Sequence, residues 1–184
     1  HLYLLLRYVP SPYTILSGFS KLRPGHYIKY TKDNSRVMQV PYFSWDPHAS
    51  EIPVSNDNYN TAVKGTLNLL VKSLESRLMA DVPLGFFLSG GVDSTLCAAL
   101  IRKYMGSEVH TFTIGFKGDS NSEHGVSEKT ANIIGSKHFV KIFDPVEILS
   151  TSREFIERLD EPNGDRSCVP TYLLCKYASS QVKV

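Results

Sequence analysis

Apolar residues in this chain change their spacing near residue 57. Before it they alternate over short stretches: His26-Tyr27-Ile28-Lys29-Tyr30 and Arg36-Val37-Met38-Gln39-Val40 flank Lys32-Asp33-Asn34-Ser35, a pattern that predicts a β-hairpin. A lone hairpin is marginal in water, so this part must pack on something else. Residues 46–56, with Asp46-Pro47, Pro53 and Asn56, read as a linker. Beyond it Tyr59, Val63, Thr66, Leu67, Leu70, Leu74 and Leu78 recur at helical spacing with charges between them, which predicts an amphipathic helix over 57–80 with one face buried. The rest alternates: strand 84–88, helix 93–105, strand 109–114, helix 124–135, strand 138–142, helix 145–159, an irregular loop, helix 169–180, and Val182-Lys183-Val184 opening another strand. Such alternation predicts an α/β fold, a parallel sheet with helices on both faces and ligands bound beyond the carboxyl ends of its strands.

Composition narrows the class. With 184 residues, 42% hydrophobic and 21% charged, the chain fits one globular domain and part of another. Its net charge of +2 is spread without a dense basic run, so neither nucleic acid nor an anionic membrane surface is an expected partner. No stretch reaches the roughly 20 apolar residues of a membrane helix; the run Leu2–Leu6 is stopped by Arg7 and reads as a helix or strand. Cys97, Cys168 and Cys175 lack metal spacing and sit among aliphatic residues. They predict small buried hydrophobes in a reducing, cytoplasmic setting. The Tyr and Phe residues read as core, and the six histidines suggest no metal site.

The chemistry concentrates in Leu84-Gly85-Phe86-Phe87-Leu88-Ser89-Gly90-Gly91-Val92-Asp93-Ser94, an apolar strand ending in a turn of two glycines, hydroxyls and one carboxylate before a helix. The first turn of a helix has amides without intrahelical partners and a partial positive charge, so an anion placed there is stabilised. Glycine at 90 and 91 lets a phosphate approach the backbone, and Ser89, Ser94 and Thr95 add hydroxyls. Asp93 would repel that phosphate unless Mg²⁺ stood between them, which predicts a site for Mg-pyrophosphate or an Mg-nucleotide with Asp93 as metal ligand. The turn lacks the lysine of a P-loop and the spacing of a dinucleotide fold. The alternative is a glycine-rich strand-to-helix turn with no ligand.

Ser-Gly-Gly-Val-Asp-Ser resembles the signature of the PP-loop ATP pyrophosphatases. Asp81-Val82-Pro83-Leu84-Gly85, Thr111-Phe112-Thr113-Ile114-Gly115-Phe116, Leu159-Asp160-Glu161-Pro162 and Pro170-Thr171-Tyr172-Leu173-Leu174 are similar in order and spacing to glutamine-hydrolysing asparagine synthetases. So are Leu6–Pro12, Lys21–Tyr27 and Trp45 upstream. The resemblance implies an adenine nucleotide α-hydrolase-like fold in which residues 1–48 are the trailing edge of a glutaminase domain, with the hairpin as its remnant. Residues 49–184 would then be the amino-terminal part of the ATP-binding synthetase domain. It implies ATP and Mg²⁺ as cofactors, and aspartate and glutamine-derived ammonia as substrates. A glutaminase domain of the same full-length chain is the implied partner, with a homodimer as a further assembly. Ligands for ATP would be Leu88, Ser89, Gly90, Gly91, Asp93, Ser94, Ile114 and Gly115, with Asp93 on the metal. The activity implied is ATP-dependent amidation of aspartate through an acyl-adenylate. A relative amidating a sugar or secondary metabolite, or a silent nucleotide-binding module, are the other readings.

Three assignments stay open. Leu88 and Ile114 are either base-reading positions, as the resemblance implies, or ordinary core residues. Glu123 is either an acidic site position or a favourable charge at a helix start. The turn Asp160, Glu161, Asp165 and Arg166 offers a second metal ligand or a contact to an amino-acid ammonium group, with Glu161 and Asp165 as catalytic candidates; the plain alternative is a solvated loop capping the next helix. The resemblance also implies a nucleophilic cysteine before His1, a second acidic glycine loop after Val184, and acidic and lysine residues beyond that, so the chain reads as a segment of a larger enzyme.

Overall fold

The computed structural model describes residues 1–32, 35–44, 55–106, 108–118 and 123–183, so Trp45, most of the expected linker and Val184 lie outside the described residues. The chain divides into two compact units: 1–53 with 158–165, and 54–157 with 166–184.

The first unit holds a short helix α1 (Leu2–Leu6) and an antiparallel hairpin of β1 (His26–Thr31) and β2 (Arg36–Pro41), paired from His26↔Pro41 to Thr31↔Arg36. The expected hairpin is therefore present. Its side chains are not core, however: Tyr27, Ile28, Tyr30 and Val37 are exposed, as are Tyr8, Tyr13, Phe19, Tyr42 and Phe43 elsewhere in the unit. Among the described residues of this unit no second sheet covers the two strands.

The second unit is built on a parallel sheet in the order β3 (Gly85–Phe87), β4 (His110–Phe116), β5 (Lys137–Phe143). Helices lie on both faces. Towards α3 (Val92–Leu100) and α4 (His124–Ile134), Leu88, Ala98 and Ala131 form a buried cluster with Phe86 and Ile134 packed on it. On the other side Phe112, Ala178 and Val182 pack with Phe139, Leu174 and Tyr177, so α6 (Cys168–Ala178) covers that face. The division follows from strand alternation: Phe86 and Leu88 face one way, while Gly85 and Phe112 face the other. A Cβ at Gly85 would come within 2.6 Å of the Phe112 ring and 2.9 Å of Val182, so glycine there lets α6 close on the sheet. Helix α5 (Pro145–Glu157) follows β5, capped by Asp144, whose carboxylate accepts from the amides of Val146 (2.8 Å) and Glu147 (3.0 Å).

Several expectations need correction. Helix α2 (Asn56–Arg77) forms, but its expected buried face is only half-buried: Leu67, Leu70 and Leu74 are partly covered, and Tyr59 stays 65% exposed. The helix expected over 93–105 stops as α-helix at Leu100 and continues as a π-helical turn, Ile101–Met105, ended by Gly106 at φ 61°. Val182 and Lys183 are not strand; the Val182 amide donates to the Ala178 carbonyl (2.9 Å), prolonging the end of α6. Cys97 and Cys168 are half-buried and Cys175 is exposed, so none is the fully buried small hydrophobe expected. Among the described residues no helix is long and apolar enough to cross a membrane.

Candidate functional site

Strand β3 is short and β4 is long, so their pairing ends before β4 does. The pairing Phe87↔Phe112 is its last, whereas β4 runs on to Phe116 against β5. Among the described residues there is consequently no strand on the β3 side beside Thr113, Ile114, Gly115 and Phe116, and the chain turns away there through Ser89-Gly90-Gly91. Leu88 fixes the departure. Its amide donates to the Phe112 carbonyl (3.0 Å), its carbonyl accepts from the Thr113 hydroxyl, and its side chain is 1% exposed.

Hydroxyls shape the turn. Ser94 Oγ lies 3.0 Å from Ser89 Oγ and donates to the Gly91 carbonyl (3.2 Å), while the Gly91 amide donates to Ser89 Oγ (3.3 Å). The Ser89 amide reaches Ser94 Oγ at 3.4 Å, a weak bond. Among the described residues the amides of Gly90, Val92, Asp93 and Ser94 have no hydrogen-bond partner, which leaves four donors at the start of α3. Gly90 has φ +78°, a left-handed conformation that favours glycine, and a Cβ there would lie 3.0 Å from Val126 Cγ1 and 3.3 Å from the Ser127 amide. The turn therefore sits at the amino end of α3 with the first residues of α4 beside it, so two helix dipoles present positive ends nearby. It is an open ledge, with Ser89, Gly91, Val92 and Asp93 exposed.

Asp93 is the acid of the first turn of α3. Among the described residues, no group of three or more His, Cys, Asp or Glu side chains is gathered to hold a metal. A cation at Asp93 would draw its other ligands from a bound phosphate and water, as Mg²⁺ commonly does. Ile114 is half-buried and Gly115 buried near the end of β4. Glu123 is the N-cap of α4 and makes no side-chain capping bond; its carbonyl accepts from the amides of Val126 (3.1 Å) and Ser127 (3.0 Å).

The acidic turn belongs to the other compact unit. There Glu161 is ion-paired with Lys21, and the Asp165 amide donates to Asn163 Oδ1 (2.9 Å). Ser167 is the N-cap of α6, and its side chain makes no capping bond. Lys21 was invisible to spacing arguments, being 140 residues from its partner. The same holds for Thr113, whose hydroxyl fastens the end of β3. A third polar feature lies at the amino ends of the strands: His138 Nδ1 meets the buried Thr111 hydroxyl (2.8 Å), which in turn meets Ser136 Oγ (2.9 Å), while His138 Nε2 is buried without a partner among the described residues. Burial lowers the His138 pKa below its ordinary value, against the opposing influence of Glu128 and a bond to Thr111.

The family model described as asparagine synthase matches residues 65–184, the part that contains this turn and the whole sheet. The chain belongs to the asparagine synthase family. It is 34% identical over 182 residues to a putative glutamine-hydrolysing asparagine synthetase of Mycobacterium tuberculosis (strain ATCC 25618 / H37Rv), and 28% identical over 182 residues to glutamine-hydrolysing asparagine synthetase 1 of Bacillus subtilis (strain 168). Each alignment covers 99% of this chain and 28% of the relative, so the chain spans little more than a quarter of the length of these proteins. Among solved structures it is similar to an ammonia-dependent NAD synthetase from Campylobacter jejuni, at TM-score 0.43 and 16% identity over 64% of this chain and 52% of that one.

Proposed function

We propose that this asparagine synthase family chain supplies the polyphosphate-binding part of an ATP site in an enzyme that converts a carboxylate into an amide. One observation carries the reading: four unpartnered amides, from Gly90 to Ser94, converge with the hydroxyls of Ser89 and Ser94 at a helix start beside Asp93. Such a ledge fits a chain of phosphates, which can accept from several amides at once. Asp93 fits Mg²⁺ as a single exposed carboxylate whose charge a bridging cation would reconcile with the phosphates. When bound, the metal neutralises charge on the departing pyrophosphate.

In this scheme the adenine edge lies along Ile114 and Gly115, where among the described residues no strand pairs with β4 on one side, and Leu88 braces the turn from beneath. A carboxylate oxygen of aspartate attacks the α-phosphorus, the α–β anhydride bond breaks, and pyrophosphate leaves. Ammonia derived from glutamine then attacks the acyl carbon and displaces AMP. The protein contributes electrostatics, since amide donors aimed at the polyphosphate stabilise the charge that builds there without reorganising.

The ammonia source in this reading is a glutaminase domain of the same full-length protein, with residues 1–48 as its trailing edge and 49–184 as the start of the synthetase domain. The free thiols of Cys97, Cys168 and Cys175 support a reducing compartment, the cytoplasm. The test is ATP–pyrophosphate exchange by the full-length protein with aspartate set against other carboxylates. Exchange that depends on aspartate upholds the scheme; exchange with a different carboxylate reassigns the substrate, and no exchange with any of them ends it.

A further inference from the structure

We infer that the cavity between α5, α6 and the end of β5 is a second anion site, separate from the turn at the start of α3, and that it takes a small oxyanion of carboxylate or phosphate chemistry. Strand alternation puts it on the other face of the sheet, since Phe139 packs towards α6 and Lys141 and Phe143 follow on the same side. The cavity measures about 340 Å³, enough for a small acid, and every residue on its wall belongs to the second unit. Part of the wall is apolar and firmly packed. Phe143 and Leu173 are buried there, and the Tyr177 ring stands edge-on to Phe112 at 6.0 Å.

The hydroxyl of Thr151 carries the inference. Its neighbours in α5 spend their protons on their own helix, Ser150 on the Glu147 carbonyl (3.0 Å) and Ser152 on the Ile148 carbonyl (2.7 Å). Thr151 does not: it lines the cavity, is only 8% exposed, and its hydroxyl has no partner among the described residues. Tyr177, on the same wall, likewise has no partner for its hydroxyl among the described residues. A buried hydroxyl left unpaired is costly, so these donors call for an acceptor. Charge selects its sign. Lys141 and Lys176 stand on the wall against one carboxylate, Glu147. That carboxylate, 3.3 Å from Lys141, also accepts from the Asp144 amide (3.3 Å), while Glu154, the partner of Lys176 at 2.6 Å, lies off the wall and accepts from the Tyr172 hydroxyl (2.8 Å). A cation entering here would meet two ammonium groups. A water would serve the hydroxyls alone, whereas an oxyanion accepts from the hydroxyls and the ammonium groups together.

The test uses the full-length protein labelled at its threonine and leucine methyl groups and titrated with inorganic phosphate or, separately, with acetate, chloride keeping the ionic strength constant. Saturable shifts are expected at the methyl resonances of Thr151 and Leu173. Read at Leu173, the affinity is expected to fall about tenfold in Thr151→Val and in Lys141→Met, and to stay unchanged in Ser150→Ala, whose proton already goes to its own helix. Response to phosphate alone or to acetate alone identifies the oxyanion, response to both widens the class, and each upholds the site. Shifts that grow without saturating, equal affinity in Thr151→Val, or saturation only at Thr95 beside the α3 turn would overturn it. Melting temperatures give a second measurement. Thr151→Val removes no hydrogen bond within the described residues, so in chloride it should melt no lower than the wild type, and phosphate or acetate should raise the wild-type midpoint more than that of the variant. A lower midpoint for Thr151→Val in chloride would mean that the hydroxyl has a partner inside the protein, and the site would fall.

Discussion

Gly90→Ala separates the backbone requirement of the turn from its glycine content. At φ +78° an L-residue pays about 1–2 kcal/mol of steric cost. The new methyl would also sit 3.0 Å from Val126 Cγ1, 3.2 Å from Val126 Cβ and 3.3 Å from the Ser127 amide. Val126 is 56% exposed and can yield, whereas the Ser127 backbone at the start of α4 cannot. Overpacking of that kind costs about 1–3 kcal/mol, and with part of it relieved by Val126 the combined loss is about 2–4 kcal/mol. For a unit of this size that lowers the melting temperature by about 4–16 °C. Gly91→Ala is the control. Gly91 has φ −72° and ψ 161°, an ordinary extended conformation, and its Cβ would meet only the rotatable hydroxyl of Ser89 at 3.2 Å. The entropy removed from the unfolded chain, about 0.4–1 kcal/mol, roughly offsets that contact. Calorimetry on the full-length wild type and both variants decides the matter. Equal melting temperatures for Gly90→Ala and Gly91→Ala would refute the left-handed, α4-packed geometry assigned to residue 90.

Asp93→Ala is expected to abolish Mg²⁺-dependent pyrophosphate release by the full-length protein while leaving glutamine hydrolysis intact, measured by exchange and by glutamate formation; near wild-type exchange would remove Asp93 from the metal. His138 titrates below the ordinary imidazole range because burial disfavours its charged form. Below the unfolded-state pKa of about 6.5 the unfolded chain takes up the proton first, so stability present above that pH falls as pH drops towards the folded-state value. Unfolding midpoints of the wild type against His138→Gln from neutral pH downward should converge, and imidazole resonances with His138 titrating at or above the usual value would contradict this.

The fold was legible wherever one periodicity dominated. Tyr27, Ile28, Val37 and Val40 announced the hairpin, and the strand-helix alternation after residue 84 announced the parallel sheet with helices on both faces. The turn at 89–94 was legible because two glycines between a strand and a helix have few structural uses. Other features were not. The π-helical turn at Ile101–Met105 is made of residues that suit an α-helix equally well, so composition carries no sign of it. The half-exposed face of α2 has the spacing of a buried one, since periodicity states which side is apolar and not what covers it. The ion pair of Glu161 with Lys21 had no sign either, because the two residues lie too far apart along the chain for local spacing to link them. Thr113 looked like any strand residue until the early end of β3 gave its hydroxyl the Leu88 carbonyl to bind.

The central claim concerns the amides of Gly90, Val92, Asp93 and Ser94, and hydrogen exchange at those positions in the full-length protein addresses it directly. Free, they should exchange rapidly, having no partner among the described residues. Addition of ATP with Mg²⁺ should slow all four together, with little change at Phe87 or Phe112 inside the sheet, and omission of Mg²⁺ should remove most of the protection. Exchange at these amides that is already slow without ligand, or that ATP with Mg²⁺ leaves unchanged while the nucleotide binds elsewhere, would contradict the account.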